Sequence, residues 1–278
     1  MKRYNTVLTI AGSDSGGGAG VQADIKAISA TGCYAASAIT AVTAQNTLGV
    51  SAVHVVPEEI IKGQINAVLS DIGADAVKIG MLGTSGLVRA VREALVPFGI
   101  GNIVLDPVMV ATSGDRLTSE DAVEVLATEL APIARVLTPN IPEAEILAGR
   151  EIKGEEDLPD IARLLSTRIS SSGTRKVSVL MKAGHLDKDE LVDYFYNAEE
   201  DHIVELRSPR LLTENTHGTG CTLSSALASF LAQGSSLDEA VRLAKEYITR
   251  AIVSGAEFKT GHGHGPVDHF FKLREQDR

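Results

Sequence analysis

The sequence has 278 residues, of which 44% are hydrophobic, and its formal net charge at pH 7 is −10. The acidic balance and the low aromatic content, 4%, argue against a nucleic-acid-binding surface. No apolar stretch approaches the roughly 20 residues that a membrane helix needs, and no signal-peptide core follows the first residues, so we expect a cytoplasmic protein.

Short runs of β-branched residues return along the chain, and each is followed by a turn and then by apolar residues at helical spacing. Five of these runs predict strands, at Thr6–Ala11, Ala76–Met81, Ile103–Val108, Val136–Asn140 and Val177–Ala183. Such alternation is typical of an α/β fold in which helices cover both faces of a mostly parallel sheet.

The later part of the chain predicts a hairpin and two packed helices. Leu191–Tyr196 and His202–Arg207 flank an acidic turn, which indicates a hairpin on the edge of the sheet. Helices are predicted at Thr219–Ala232 and Leu237–Ala256, with Gly234-Ser235-Ser236 between them. Because no repeat or linker divides the chain, we expect one domain over residues 1–278.

Polar and glycine residues collect where the predicted strands end. They are Gly12-Ser13-Asp14, Gly80-Met81, Asp106-Pro107, Thr138-Pro139-Asn140 and Lys182-Ala183-Gly184-His185. In open α/β sheets ligands bind beyond the carboxyl ends of the strands. The sequence therefore predicts one cleft along this edge of the sheet.

The first glycine-rich loop, Gly12 to Gly20, leads into a predicted helix but matches neither known phosphate-binding pattern. A Walker loop needs Lys and then Ser or Thr after its last glycine, and the dinucleotide spacing needs glycine where Val21 stands. Its glycines still permit a close approach of the backbone to a ligand, which Asp24 could also bind. A flexible turn is the alternative interpretation.

A second glycine loop, Thr216 to Thr222, opens a predicted helix. The first turn of a helix carries free N–H groups and the positive end of the dipole, so this loop predicts an anion hole. Small residues at 218 to 220 would let a transferring phosphoryl group lie against the backbone.

Cys221 stands at the start of this same helix. Cys33 is the only other cysteine, so a disulfide framework or a four-cysteine zinc site is excluded and any function rests on a single thiol. The helix start should favour the thiolate, and we expect Cys221 to titrate below an ordinary thiol. A small buried core residue is the alternative.

Charged residues follow three of the predicted strands. Asp106 and Glu143 form a carboxylate pair of the kind that a hydrated magnesium ion requires, although Glu143 could instead cap a helix. Lys182 directly ends an apolar run and could neutralise nucleotide phosphates. His262 and His264 could bind a metal, but a mobile polar loop fits better because no other ligands accompany them.

With these residues identified, the sequence resembles the hydroxymethylpyrimidine/phosphomethylpyrimidine kinases of thiamine biosynthesis, in the ribokinase-like superfamily, over nearly its full length. Six ordered motifs carry the resemblance: residues 11–24, Thr43-Ala44-Gln45-Asn46-Thr47, Lys78-Ile79-Gly80-Met81-Leu82, Asp106-Pro107-Val108-Met109, residues 138–144 and Thr216-His217-Gly218-Thr219-Gly220-Cys221. The resemblance implies a three-layer αβα fold and ATP-dependent phosphorylation of a hydroxymethylpyrimidine, and then of its monophosphate.

The resemblance also implies roles for single residues. Gly12, Asp24, Gln45, Met81 and Val108 would contact the aminopyrimidine. Asp106 and Glu143 would hold Mg2+ through water, and Asn140, Lys182 and Thr219 would bind the nucleotide phosphates of ATP. Gly218 and Gly220 would form the anion hole, and Cys221 would be the base. A monovalent cation and a homodimer are further expectations from the family.

The sequence departs from related patterns at two positions, and three rival functions remain. Sugar kinases of this fold carry aspartate where Cys221 stands, which makes a sugar kinase the least favoured rival. Ala183 replaces a glycine that the family usually has. The nearest rival is a pyridoxal kinase of the same superfamily, and a nonenzymatic pyrimidine-binding regulatory protein is the rival from another class.

We expect the loop at 109–116 to act as a lid.

Overall fold

A computed structural model describes residues 2–109, 118–173, 175–184, 186 and 188–275. Nine strands of the described residues form one sheet, in the spatial order β3-β2-β1-β4-β5-β6-β7-β8-β9. The strands are β1 (Thr6–Asp14), β2 (Tyr34–Asn46), β3 (Gly49–Val55), β4 (Ala76–Ile79), β5 (Ile103–Leu105), β6 (Val136–Leu137), β7 (Ser178–Met181), β8 (Glu190–Asn197) and β9 (His202–Pro209). The six central strands are parallel, in the order β2-β1-β4-β5-β6-β7. The strands β3, β8 and β9 pair antiparallel with their neighbours.

Helices cover both faces of this sheet. They are α1 (Gly20–Ala30), α2 (Glu58–Asp71), α3 (Ser85–Leu95), α4 (Glu120–Val125), α5 (Ile141–Ala148), α6 (Leu158–Ser170), α7 (Thr219–Ala232), α8 (Leu237–Gly255) and α9 (Phe271–Glu275). One apolar core includes side chains of α2 to α6, and the other includes side chains of α1, α7, α8 and α9. Within the described residues, no helix combines the length and apolarity needed to cross a membrane.

The strands alternate their side chains between the two cores, as a pleated strand must. On β1, Leu8 and Ile10 belong to the core with α2 and α3. Val7, whose side chain points to the opposite face of the sheet, belongs to the other core. On β4, Val77 and Ile79 face the first core and Ala76 the second. Lys78, two residues after Ala76, is therefore directed into the layer of α1 and α7.

The five predicted strands, the edge hairpin and the two late helices are confirmed, with small differences at their ends. The prediction missed β2 and β3. β2 contains five alanines among its 13 residues, and alanine gives little strand signal. The Gly234-Ser235-Ser236 break is also present: Gly234 has φ 92°, and the Ser236 hydroxyl accepts the N–H of Glu239 to start α8.

Candidate active site

A cavity of about 730 Å³ lies along the carboxyl ends of the strands, where the sequence predicted a cleft. Nearly all the predicted site residues line it: Gly12, Gln45, Met81, Asp106, Val108, Asn140, Glu143, Lys182, Gly218, Thr219, Gly220 and Cys221. Asp24 does not. The predicted lid falls, except for Met109, outside the described residues, as does His185.

The second glycine loop forms the start of α7. Gly218 is the N-cap residue, with φ 79°, and a Cβ at this position would come within 1.8 Å of the Gly18 carbonyl oxygen. Only glycine fits, because both the backbone angle and the space exclude a side chain. No acceptor among the described residues is recorded for the N–H groups of Gly220 and Cys221. They remain free to bind an anion in the cavity.

The first glycine loop has a different task from phosphate binding. The Asp14 carboxylate accepts hydrogen bonds from the N–H groups of Gly16 (2.8 Å), Gly18 (3.1 Å) and Ala19 (2.8 Å). A loop whose N–H groups are taken by its own carboxylate cannot offer them to a phosphate. Asp14 also bonds His217 Nε2 at 2.9 Å, which joins the two glycine loops.

Asp24 lies behind the cavity wall. Its carboxylate accepts two bonds from the Lys78 ammonium, at 2.9 and 2.8 Å, and further bonds from the hydroxyls of Thr9 and Ser225. The family resemblance implied direct contact between Asp24 and the substrate. The structure differs, because both carboxylate oxygens of Asp24 are already bonded and its side chain is fully buried.

Lys78 is a site residue to which the sequence analysis gave no role. Its side chain is fully buried and it lines the cavity. Burial lowers the pKa of Lys78, but Asp24, and then Cys221 and Asp106, hold that pKa above its ordinary value. The available signal was a lysine between apolar residues of β4, Ala76-Val77-Lys78-Ile79, since a buried lysine needs a carboxylate partner.

Two carboxylates and one ammonium meet at the ends of β5, β6 and β7. Lys182 Nζ lies 2.8 Å from Asp106 Oδ1 and 3.9 Å from Glu143 Oε2. The Thr138 hydroxyl donates to Asp106 Oδ1 at 2.9 Å. Asn140 and Glu143 form a reciprocal capping box at the start of α5. Glu143 thus caps a helix and lines the cavity at the same time.

The two carboxylates of this group have pKa values that shift in opposite directions. Burial raises the pKa of Asp106, but Lys182 and Lys78 hold it below its ordinary value. Burial, with Asp106 nearby, raises the pKa of Glu143 to about 7, against the opposing effect of Lys182. Two buried carboxylates on one cavity wall are hard oxygen donors of the kind that hydrated Mg2+ takes. The residues present therefore fit a magnesium ion.

Cys221 differs from its predicted titration. Burial raises the pKa of the Cys221 thiol to about 11, against the opposing effect of Lys78, and Asp24 and Asp106 add to the increase. The prediction of a pKa below that of an ordinary thiol was wrong because it considered only the helix start. The main-chain N–H of Gly20 partly offsets the increase in the pKa of the thiol.

Other polar groups complete the surroundings of the cavity. Asp193 accepts the N–H of Ala183 at 2.7 Å and pairs with Lys245 at 2.7 Å, so the backbone after Lys182 is held from β8.

The stretch at Lys259–Gly265, predicted to be a mobile polar loop, packs through its backbone: the N–H of His264 donates to the Thr47 carbonyl at 3.0 Å. Both of its histidine rings are exposed.

Comparison with known proteins agrees with this site. Residues 14–268 match the family described as phosphomethylpyrimidine kinase. A relative from Rhizobium meliloti, named hydroxymethylpyrimidine/phosphomethylpyrimidine kinase, is 49% identical over 95% of this chain and 97% of its own length. The crystal structure of phosphomethylpyrimidine kinase from Clostridium difficile is 44% identical, with a TM-score of 0.73 over 89% of this chain and 99% of that one.

A pyridoxal kinase is also similar in structure. The ADP complex of Bacillus subtilis pyridoxal kinase superposes with a TM-score of 0.85 over 98% of this chain and 99% of that chain, at 34% identity. The ribokinase-like three-layer fold predicted from the sequence is thereby confirmed. The chain belongs to the phosphomethylpyrimidine kinase family.

Proposed function

We propose that this protein transfers phosphate from ATP to 4-amino-5-hydroxymethyl-2-methylpyrimidine, and then to the resulting monophosphate, in thiamine biosynthesis. One observation carries the proposal: a single cavity joins the free N–H groups at the start of α7 to Gln45 and Met81 on one side and to Asp106 and Lys182 on the other. An acceptor ring and a nucleotide can therefore meet at the anion hole. The names of the relatives in the same family support this choice of substrate.

In this proposal the acceptor and nucleotide ends of the cavity have separate residues. Gly12, Gln45, Met81 and Val108 surround the aminopyrimidine, and Gln45 supplies the polar contact to the ring. A Cβ at Gly12 would come within 2.9 Å of Met81 Cε, so glycine here leaves room beside the ring. Asn140, Lys182 and Thr219 bind the nucleotide phosphates. A magnesium ion, when bound near Asp106 and Glu143, would neutralise phosphate charge. A monovalent cation is a further expectation.

Positioning supplies most of the catalysis in this mechanism. The transition state of phosphoryl transfer is loose, so little covalent assistance is required from the protein. Gly218 and Gly220 leave the backbone open for the transferring group, and the free N–H groups of Gly220 and Cys221 stabilise its charge. A thiol with a pKa of about 11 is almost fully protonated at pH 7. The base role of Cys221 therefore depends on a fall of this pKa when substrates bind, which the Lys78 ammonium favours.

A second candidate function is pyridoxal kinase, because a pyridoxal kinase superposes over nearly the whole chain. Turnover assays with the pyrimidine alcohol, the pyrimidine monophosphate and pyridoxal separate the two. We expect both pyrimidines to be phosphorylated, with a higher kcat/KM than pyridoxal. Failure to use the monophosphate would defeat the two-step assignment.

A Cys221→Ala variant tests the nonenzymatic alternative and the base role together. We expect it to bind the pyrimidine while its kcat falls by roughly 10²- to 10⁴-fold, the range for loss of a general base. Undiminished turnover would remove Cys221 from the base role. A wild-type protein that binds the pyrimidine without any turnover would identify a regulatory protein.

The remaining expectations belong to the same proposal. We propose one kinase domain over residues 1–278, supported by the continuous sheet of nine strands. A homodimer is supported by β3, an edge strand without charged residues that exposes Val53 and Val55. A cytoplasmic location agrees with the use of ATP. Sedimentation analysis tests the dimer, and a monomer at micromolar concentration would contradict it.

A further inference from the structure

Residues 14–20 of the first glycine loop have no ligand-binding role in the proposed function. They connect the neighbourhood of Gln45 with that of Cys221. On one side the Ser15 hydroxyl donates to the Gln45 carbonyl (2.7 Å) and accepts the Gln45 N–H (2.8 Å). On the other side Gly20 and Cys221 both line the cavity, and the Gly20 N–H lowers the pKa of the Cys221 thiol. The loop thus joins the ring-binding residue to the surroundings of the thiol.

Asp14 organises this loop from inside. Its side chain is 3% exposed, and its two oxygens accept the three N–H groups of the loop and the ring of His217. Burial raises the pKa of Asp14, but His217 and the loop N–H groups hold it below its ordinary value. The carboxylate is therefore ionised at neutral pH, and His217 Nε2 donates to it.

The bond between His217 and Asp14 joins two segments that are 203 residues apart in the sequence, since His217 directly precedes the start of α7. Its N–H donates to the Gly265 carbonyl at 3.0 Å, so its own backbone is fixed from a third segment. Contact between the two loops is direct: a Cβ on Gly18 would come within 2.4 Å of His217 Cδ2, and a Cβ on Gly218 within 1.8 Å of the Gly18 carbonyl oxygen. No side chain separates the two backbones.

We infer that Asp14 and His217 are positioning residues, which hold the 14–20 loop against the start of α7 and so fix Cys221 and the anion hole relative to Gln45. The inference rests on the proposed function for its kinetic consequences. Neither residue needs to touch the reacting atoms. A displacement of about 1 Å between groups that must meet in the transition state costs roughly 10²-fold in rate, whereas binding of the separate substrates suffers less.

Substitutions at His217 test this role with a built-in rescue. His217→Leu removes the donor to Asp14, whereas His217→Gln places an amide N–H near the position of Nε2 and can still donate. His54→Gln, at an exposed histidine of β3, is the matched control. We expect His217→Leu to lower kcat for the pyrimidine by roughly 10- to 100-fold, with the KM for ATP within about threefold of wild type. His217→Gln should recover to within about threefold.

Hydrogen exchange provides a readout that needs no turnover. In His217→Leu, amides 16–19 and the hydrogen-bonded amides of Thr219 and Thr222 should both exchange faster, while His217→Gln and His54→Gln should resemble the wild type. Faster exchange at 16–19 alone would overturn the inference, because the loop would then not support α7. A kcat for His217→Leu within threefold of wild type would also overturn it.

Asp14→Asn covers the case in which the leucine variant does not fold. It keeps the size of the side chain but removes its charge, and it should reproduce the fall in kcat and the faster exchange to a smaller extent. If the wild-type protein phosphorylates neither pyrimidine, the proposed function fails, and the exchange at amides 16–19 and at Thr219 and Thr222 still decides the inference.

Discussion

Lys78 and Asp24 form an ion pair that is closed to solvent: the ammonium lies 2.9 and 2.8 Å from the two carboxylate oxygens, and neither side chain is exposed. Thr9 and Ser225 supply further hydrogen bonds to the same carboxylate. Each charge is tolerated only because the other is present, since an unpaired buried charge has no water to solvate it. Lys78 lines the cavity and Asp24 lies behind it, and the charge of Lys78 lowers the pKa of Cys221.

We predict that Lys78→Met lowers the free energy of unfolding by about 3–5 kcal/mol, because it leaves the Asp24 carboxylate buried without a cation. Urea unfolding of the ligand-free protein measures this loss. Lys62→Met is the control, since Lys62 pairs with Glu93 at the surface, and its effect should be far smaller.

The double variant Lys78→Met with Asp24→Asn distinguishes charge from packing. Removing both charges should recover part of the stability lost in Lys78→Met alone, because the buried carboxylate is then neutral. Equal or greater destabilisation in the double variant would contradict the assignment of the loss to an unpaired charge.

The thiol of Cys221 provides a second prediction. Because burial raises its pKa to about 11, the thiolate fraction should increase about tenfold for each pH unit between 7 and 10. Alkylation by iodoacetamide, followed by mass spectrometry in a Cys33→Ser background, should increase with the same slope. A plateau near pH 8 would show a thiol with a lowered pKa and contradict this prediction.

The predicted pKa of Cys221 ignored its surroundings, which shows which features a sequence pattern can and cannot predict. Helix starts, glycine breaks and strand ends are local patterns, so α7 and the cavity edge were predictable. Partners distant in sequence were not: Lys78 and Asp24 are 54 residues apart, and His217 and Asp14 are 203 residues apart. The sequence predicted the anion hole at 218–221 but not the burial and the carboxylates that dominate the thiol.

Asp106 provides a third prediction, on turnover. Asp106→Asn removes the charge that pairs with Lys182 and, in the proposed function, one of the two carboxylates that would hold Mg2+ through water. We expect kcat with saturating pyrimidine to fall by roughly 10²- to 10³-fold, the usual effect of losing one electrostatic contact of a transition state. Asp160→Asn, at an exposed carboxylate of α6, is the control for the change in net charge. A change of less than threefold in Asp106→Asn would contradict the assignment.

His269 provides the fourth prediction, on the pH dependence of stability. Its ring nitrogen Nε2 lies 2.9 Å from the Thr222 hydroxyl, and both side chains are buried. Burial, with Lys26 nearby, lowers the pKa of His269 to about 4. Between pH 6.5 and 4, His269 is therefore protonated in the unfolded chain but remains neutral in the folded chain. The stabilisation is present above pH 6.5 and is lost progressively as the pH falls toward 4.

This histidine alone should lower the free energy of unfolding by about 3 kcal/mol over that range, at 1.36 kcal/mol per pH unit. Urea unfolding at several pH values between 7.5 and 4.5 measures the slope, to which the carboxylates also contribute. Comparison with His269→Gln isolates the histidine, because glutamine can bond Thr222 but does not titrate. The variant should lose stability less steeply with falling pH, whereas His54→Gln should follow the wild type. Parallel slopes for His269→Gln and wild type would mean that the ring accepts its proton in the folded protein, which the burial of His269 opposes.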